Sequence, residues 1–317
     1  MKDRPILWVF LAFVLGFALP VLTCIGTGMI TLAALGRLAQ APIPGLGNGD
    51  AVAVISLEGA ITTGQDDSFI TMGITPRRVR SLLEQADVNT SVKAVVVRVN
   101  SPGGSVVASN EIYNALLAFE KPVVVLMDET AASGGYYISL GGDHVMAHPD
   151  TLTGSIGVIS QFLNVEELME KIGVEAVVIT SGPSKDIGSP FREMTEEEQG
   201  LWKDILDQVY DGFVEVVAEA RGLPRETVRE LADGRIYTGQ QAKDLGLVDS
   251  VGTRQAAIER AAELGNIVDE PRVIELRVQP SLLEMVYGFQ ARSVLPAIEE
   301  LVGWAGIPSL QFRMPGP

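Results

Sequence analysis

Residues 123–137 have the sequence VVVLMDETAASGGYY, in which an apolar run leads into a turn of small residues. Val123–Met127 is typical of a strand buried on both faces of a sheet, because it is short, apolar and rich in valine. The residues after Gly135 are compatible with a helix. The segment therefore predicts a strand, a sharp turn and a helix. Ser133 lies in the turn, near the helix N-terminus, where free N–H groups favour negative charge.

Strand and helix patterns alternate on both sides of this segment. Further predicted strands are Val52–Leu57, Val95–Val99, Val145–Ala147, Ile156–Ile159, Ala176–Thr180 and Val273–Leu276. Predicted helices follow Thr75-Pro76 and Pro224, and cover Ala108–Phe119, Val165–Ile172, Thr195 to about Gly222, and Thr253–Leu264. Thr195 and Glu198 have the spacing of a capping box. The alternation predicts an α/β domain.

The N-terminus carries an apolar run, Ile6–Leu22, that resumes as far as Leu35. A run of this length predicts a transmembrane helix, although Ala39-Gln40-Ala41 resembles a signal-peptide cleavage site and Pro20 predicts a kink. The positive charges before the run place the N-terminus in the cytoplasm and the rest of the chain on the outer side of the cell membrane, as a single-pass protein.

Four regions follow from this organisation. Residues 1–40 form the predicted membrane anchor, and residues 41–51 form a linker rich in proline and glycine. Residues 52–280 form the predicted α/β domain. Residues 281–317 form an apolar tail containing Trp304, which is either a packing arm or an interfacial segment.

Composition excludes some classes of function. The formal net charge of −16 disfavours nucleic acid as a partner, because nucleic-acid binding depends on Lys and Arg releasing counterions. The single cysteine, Cys24, lies in the apolar run, so it supports neither a disulfide within the chain nor a cysteine nucleophile or metal site.

Ser133 is a candidate nucleophile. The alternative is that the small residues only form a tightly packed turn without a catalytic role. A serine hydrolase needs a base, and the chain has two histidines, His144 and His148, which are interpreted as polar residues at the ends of the next predicted strand. The α/β-hydrolase order places histidine last and a glycine two residues before the serine, where this chain has Ala131. A Ser-His-Asp triad of that type is therefore not predicted. Two neighbouring histidines without a third ligand also make a poor zinc site.

A lysine can replace histidine as the base when burial or a nearby cation leaves part of it neutral. Lys185 lies in the turn Ser181–Gly188, directly after an apolar run, whereas the other six lysines have the settings of solvated surface charges. These residues alone leave Lys185 one candidate among several.

The turn Asn100–Ser105, NSPGGS, also joins a predicted strand to a predicted helix. Glycine there permits close approach of the backbone to a ligand, so Gly104 is a candidate oxyanion-hole residue. The alternative is an ordinary Pro-Gly-Gly turn. Two strand-to-helix turns, at Gly104 and Ser133, are expected to open at the same edge of a parallel sheet, where ligands bind.

Several segments together resemble the signal peptide peptidase A family of Ser-Lys proteases, which share the fold of the caseinolytic protease subunit and the crotonases. The resemblance runs from about Val52 to Asp249. The segments that carry it are the NSPGG turn, Ala131–Tyr137, Leu152–Val158 (LTGSIGV), Ser181–Ser189, Arg192–Thr195 (REMT) and Gly234–Asp249.

The resemblance implies that Ser133 is the nucleophile, Lys185 the general base and Ser155 the residue that orients the lysine amine. It also implies an oxyanion hole made by the N–H groups of Gly104 and Gly134, with no cofactor and no metal. The domain occurs once in this chain, which implies a homo-oligomer. The resemblance leaves two arrangements of the serine and lysine open, within one subunit or between neighbouring subunits.

The family and the anchor together imply an endopeptidase at the lipid bilayer that cleaves hydrophobic peptides, notably remnant signal peptides. Two alternatives remain open. A crotonase-like acyl-CoA lyase or hydratase shares the fold and the oxyanion hole, but it uses neither a nucleophilic serine nor an anchor. A noncatalytic membrane scaffold is the other alternative, and the presence of Ser133, Lys185, Ser155 and Gly104 argues against it.

Overall fold

The computed structural model describes residues 49–64 and 73–277, and the backbone of 311–313. The chain divides into two compact units, Met1–Asn48 and Gly49–Pro317, and all described residues belong to the second. The predicted anchor 1–40, most of the linker 41–51 and most of the tail 281–317 lie outside the described residues. Within the described part of the chain, no helix is both long enough and apolar enough to cross a membrane.

The described unit is built from alternating strands and helices. The strands are β1 (Ala51–Glu58), β2 (Val92–Ser101), β3 (Gly103–Ser105), β4 (Val123–Ala132), β5 (His144–Ala147), β6 (Leu152–Gly154), β7 (Ile236–Thr238), β8 (Ser250–Val251), β9 (Arg272–Leu276) and β10 (Gln311–Arg313). The helices are α1 (Pro76–Val88), α2 (Val106–Leu117), α3 (Gly134–Ser139), α4 (Glu166–Ile172), α5 (Glu196–Arg221), α6 (Arg225–Leu231), α7 (Gly239–Asp244) and α8 (Arg254–Leu264). The predicted α/β class is confirmed.

The main sheet has the order β7-β6-β4-β2-β1-β9, and β5 pairs with both β4 and β8. Its pairings are parallel except for the antiparallel pair β6–β7. β10 and β3 form a separate antiparallel pair. Crossover helices cover both faces of a parallel sheet, which explains why its central strands β1, β2 and β4 are apolar at most positions.

Successive residues of the central strands contribute to two different parts of the core. In β1, Ala53 and Ile55 pack into the larger core, which includes residues of α1, α2, α3 and α5, whereas Val52 and Val54 pack against α8. This is the period-two alternation expected of a strand covered on both faces.

Local signals set several helix ends as predicted. The Thr75 side chain caps α1 by accepting a hydrogen bond from the Arg78 N–H. Both reciprocal bonds of the Thr195–Glu198 capping box are present at the start of α5. Gly222 ends α5 in the left-handed conformation, which glycine adopts without a steric cost.

Two strand predictions are wrong. Residues 156–159 form no strand beyond an isolated bridge at Ile159, and residues 176–180 have no regular structure. In the second segment Val177 is 77% exposed and Ile179 is 92% exposed. β-branched residues favour strands when they pack on a neighbouring strand, and the described chain provides none here.

Phe213 attaches the long helix α5 to the core. Its side chain is fully buried and packs edge-on against the Tyr137 ring of α3, with 5.0 Å between the ring centroids. We expect Phe213→Ala to lower the free energy of unfolding by about 3–5 kcal/mol, through lost burial and the cavity that remains. Urea denaturation measures the change.

The matched control is Ile205→Ala on the same helix, where the side chain is 42% exposed. A substitution at such a partly exposed position is expected to change the free energy of unfolding by less than about 1 kcal/mol. Equal losses of unfolding free energy in the two variants would contradict the assignment of Phe213 as the residue that attaches α5 to the core.

Candidate active site

Ser133 occupies the end of β4 in an unusual backbone conformation. Its φ of 53° and ψ of −115° are strained for a residue other than glycine, at a cost of about 1–3 kcal/mol. Two backbone hydrogen bonds hold it there: the Ser133 N–H donates to the Gly154 carbonyl at 2.8 Å, and the Tyr137 N–H donates to the Ser133 carbonyl at 2.9 Å. The predicted strand, turn and helix are confirmed around this residue.

The Ser133 hydroxyl is buried, and its Oγ has no hydrogen-bond partner among the described residues. A buried hydroxyl without a partner costs about 1–3 kcal/mol, so native proteins rarely retain one without a use. Strain and an unpaired hydroxyl coincide at this one residue. Such a combination is typical of an active-site nucleophile.

The glycines next to Ser133 let two chain segments approach closely. A Cβ added to Gly134 would lie 3.2 Å from the Gly104 nitrogen and 2.7 Å from Ser109 Oγ. A Cβ added to Gly104 would lie 2.0 Å from the Ile61 carbonyl oxygen. No side chain fits at Gly104, and a side chain at Gly134 would displace Ser109 and crowd the Gly104 backbone, which lies beside that of Gly134.

Sheet pairing explains how these two turns meet. β2 and β4 are parallel neighbours, and Ser101 lies opposite Ala131 in their register. The Asn100 side chain also accepts a hydrogen bond from the Thr130 N–H at 3.1 Å. The expectation that both turns open at the same sheet edge is confirmed.

Strand pairing and a backbone hydrogen bond place Ser155 near Ser133 and the two glycines. Ser155 follows β6, whose Gly154 is opposite Ala132 in β4, and its N–H donates to the Arg235 carbonyl at 2.8 Å. Ser155 also has a positive φ, of 49°, and is 5% exposed. The structure therefore brings Ser133, Gly134, Gly104 and Ser155 together.

Lys185 lies in an exposed turn of residues 181–188. Its N–H donates to the Gly182 carbonyl at 3.2 Å, and its side chain forms no ion pair or hydrogen bond with any described residue. Lys185 and Ser133 are thus not hydrogen-bonded within one chain.

The histidines are engaged away from Ser133. His144 Nε2 lies 2.8 Å from Ser250 Oγ, and burial lowers the pKa of the His144 imidazole. His148 Nδ1 accepts a hydrogen bond from the Asp150 N–H at 3.3 Å. His144 begins β5 and His148 directly follows it, which agrees with the interpretation of both histidines as polar residues at the ends of this strand.

Two features beside the site were not predicted. An apolar groove of about 900 Å³ extends from Ser155 along α5, and its lining includes Val158, Phe162, Trp202 and Tyr210. The rings of Phe162 and Trp202 pack edge to face at 5.2 Å. The aromatic residues of α5 were a signal in the sequence, but only packing shows which of them face a groove.

The second unpredicted feature is a strand pairing at β3. β10, from the apolar tail, lies antiparallel to β3, with Phe312 opposite Gly104. On its other side β3 bonds to Ile61, whose N–H donates to the Gly103 carbonyl at 2.9 Å. The candidate oxyanion-hole strand thus has an edge that accepts an extended segment.

The sequence matches known protein families over the region that contains this site. Residues 115–268 match peptidase family S49, and residues 69–153 match the Clp protease family. A ClpP1 mutant from Listeria monocytogenes superposes with a TM-score of 0.41 at 16% sequence identity, covering 65% of this chain and 94% of that one.

Several proteases are similar in sequence. A putative protease from Synechocystis is 44% identical over 71% of this chain and 77% of its own length. A putative signal peptide peptidase SppA from Enterococcus faecium is 39% identical over 68% of this chain and 64% of its own length. Protease 4 from Haemophilus influenzae is 34% identical over 81% of this chain, which spans 42% of that protein.

These matches agree with the geometry. The S49 match includes the strained Ser133, the Ser155 turn and the Lys185 turn, and the Clp match includes the Gly104 turn and Ser133. The chain therefore belongs to peptidase family S49 and is a serine protease with an α/β fold, of which residues 69–153 match the Clp protease family.

Proposed function

We propose that this chain is a membrane-bound endopeptidase that cleaves hydrophobic peptides, such as remnant signal peptides, with Ser133 as nucleophile and Lys185 as general base. The observation that carries the proposal is the Ser133 hydroxyl, which is buried, unpaired among the described residues and held on a strained backbone next to Gly104 and Gly134.

The reaction begins when the neutral Lys185 amine takes the proton of Ser133 Oγ as that oxygen attacks a peptide carbonyl. The N–H groups of Gly104 and Gly134 stabilise the resulting oxyanion. The Lys185 ammonium then protonates the leaving amine, which leaves an acyl-enzyme on Ser133. Water, activated by the same amine, hydrolyses that ester. Ser155 orients the lysine amine in this scheme.

A second copy of the chain supplies the lysine. A lysine base needs desolvation, whereas Lys185 is exposed and without a partner among the described residues. The segment before it presents Val177 and Ile179 to solvent, at 77% and 92% exposure. Burial of this segment against another copy removes apolar surface from water and places Lys185 in a desolvated setting. The active unit is therefore a homo-oligomer.

The β3 edge and the apolar groove suit a hydrophobic peptide. The chain's own Gln311–Arg313 pairs there as an antiparallel strand, the mode in which extended peptides commonly bind a sheet edge. The groove beside Ser155 offers aromatic and aliphatic surface to side chains. The apolar run Ile6–Leu22 supports a location at the membrane, with the protease domain on the outer side.

Loss of either catalytic side chain tests the chemistry. We expect Ser133→Ala and Lys185→Ala each to lower kcat on a hydrophobic peptide by at least about 10³-fold, since nucleophile and base act as one unit. Initial rates with the purified full chain measure the loss. Ser91→Ala and Lys93→Ala are the controls and should retain wild-type rates. Wild-type activity in either catalytic variant rules out the Ser-Lys assignment.

Mixing the two inactive variants tests whether the dyad is shared between copies. Ser133→Ala retains the lysine and Lys185→Ala retains the serine, so mixed oligomers contain some sites with both groups. At equal mixing with random assembly, roughly a quarter of the sites are complete. We expect activity to return after the variants are mixed and allowed to exchange subunits. No recovery, in a mixture shown to contain hetero-oligomers, contradicts the shared dyad.

The pH profile tests the base. Protonated lysine cannot accept the serine proton, so activity should rise from neutral to alkaline pH and reach a plateau as the amine becomes neutral. The measurement is kcat/KM against pH on an uncharged peptide. A profile that is flat from mildly acidic to alkaline pH argues against a lysine base.

A further inference from the structure

Arg192 binds the residue next to Lys185. Its Nε donates to Asp186 Oδ2 and its Nη2 donates to Asp186 Oδ1, both at 2.8 Å. This is the two-pronged geometry that makes an arginine–carboxylate pair directional as well as strong. Since Asp186 follows Lys185 directly in the chain, the pair holds the backbone that carries the proposed base.

The same guanidinium also binds the start of α5. Arg192 Nη1 donates to Glu198 Oε2 at 2.8 Å, and Nη2 donates to Glu198 Oε1 at 2.6 Å. The Glu198 side chain is only 6% exposed. Its Oε2 also accepts the Thr195 N–H at 3.0 Å within the capping box. Arg192 thus joins the lysine turn to a capped, nearly buried helix terminus.

Little else holds this turn. Residues 181–188 contribute no buried side chain, and their internal bonds include long ones, such as Ile187 N–H to the Ser184 carbonyl at 3.4 Å. Among the described residues, the Arg192–Asp186 pair is the only side-chain hydrogen-bond link from this turn to another part of the chain. Without it, the position of Lys185 depends on a solvated turn.

Asp186, Arg192 and Glu198 stay charged at every pH at which a lysine can act as the base. Hydrogen bonds from Arg192 hold the pKa of the Asp186 carboxyl below its usual value. Hydrogen bonds from Arg192, and then from the Thr195 N–H, lower the pKa of Glu198 to about 2. The two carboxylates raise the pKa of Arg192 in turn. The link therefore stays fully charged from neutral to alkaline pH.

We propose that Arg192 is a positioning residue for catalysis: it fixes Asp186 to the N-terminus of α5 and so sets where Lys185 is presented to Ser133. This inference rests on the proposed Ser-Lys function. The motif Arg192–Thr195, REMT, thereby acquires a role, because its first residue is the clamp and its last is the helix cap. Placement matters because an error of about 1 Å in a reacting group can cost roughly 100-fold in rate.

Two variants remove, respectively, one and both of the carboxylate contacts (arms) of the Arg192 clamp. Asp186→Ala removes the arm to the lysine turn and leaves Arg192 bound to Glu198. We expect it to lower kcat by roughly 10–100-fold while KM and the melting temperature stay near wild type. Arg192→Gln removes both arms and should lower kcat at least as far. Arg192→Lys should not restore the rate, since a lysine lacks the planar fork.

The double variant tests coupling. If Asp186 and Arg192 act through one contact, Asp186→Ala combined with Arg192→Gln should be no slower than Arg192→Gln alone. A matched control is Arg229→Gln, which breaks an exposed pair with Asp211 of α5 at 2.8 Å. This variant should retain wild-type kcat, KM and melting temperature.

All variants are measured in the full-length protein, beside Ser133→Ala and Lys185→Ala. Wild-type kcat in Asp186→Ala, with Lys185→Ala inactive, overturns the positioning role and leaves the proposed function intact. A loss in Arg192→Gln that follows only its melting temperature, with Asp186→Ala unaffected, also overturns the role, because it then reflects the helix cap alone. An active Lys185→Ala overturns both proposals.

Discussion

Strand β4 ends in a backbone conformation that serine rarely adopts, and much of the described chain is arranged around it. β4 lies inside the sheet, between β2 on one side and β5 and β6 on the other. The Gly154 carbonyl of β6 holds the Ser133 N–H, and α3 begins directly afterwards. A strained turn persists only where the surrounding structure leaves it no other conformation. The neighbouring strands and α3 supply that constraint at the end of β4.

The same constraint explains the glycines. Ser133 can lie next to the Gly104 turn because neither Gly104 nor Gly134 carries a Cβ, which would clash at 2.0–3.2 Å with the neighbouring segment. Parallel pairing of β2 with β4 brings the two turns to one edge. The proposed nucleophile Ser133 and the candidate oxyanion-hole amides are thus held by the same sheet, which is the kind of preorganisation that makes electrostatic stabilisation effective.

The lysine side of the site is built differently. The Lys185 turn lies outside the sheet, contributes nothing to the core and is connected to α5 through Arg192. The rigidly held Ser133 and the peripheral, clamped Lys185 suit the active site proposed above, which is completed between copies. In such a site, each chain must present its lysine in a defined place before the copies meet. The exposed apolar residues Val177 and Ile179 come shortly before this turn in the chain.

The sequence by itself determined much of the fold, because its decisive signals are local. Mostly apolar runs of five or six residues predicted the central strands. Thr75-Pro76 and the Thr195–Glu198 box predicted helix starts, and the small residues around Ser133 predicted the turn. The resemblance to the signal peptide peptidase A family was also recognisable from the order of its motifs.

Only the tertiary structure decided what depends on contacts between distant residues. The segment 176–180 has the composition of a strand but no neighbouring strand in the described chain, so it forms none. The approach of Gly104 to Gly134, the pairing of β10 with β3 and the clamp of Arg192 on Asp186 and Glu198 likewise arise from the packed chain. Local patterns report a residue's intrinsic preference, whereas the position of a side chain in a site is set by its partners in space.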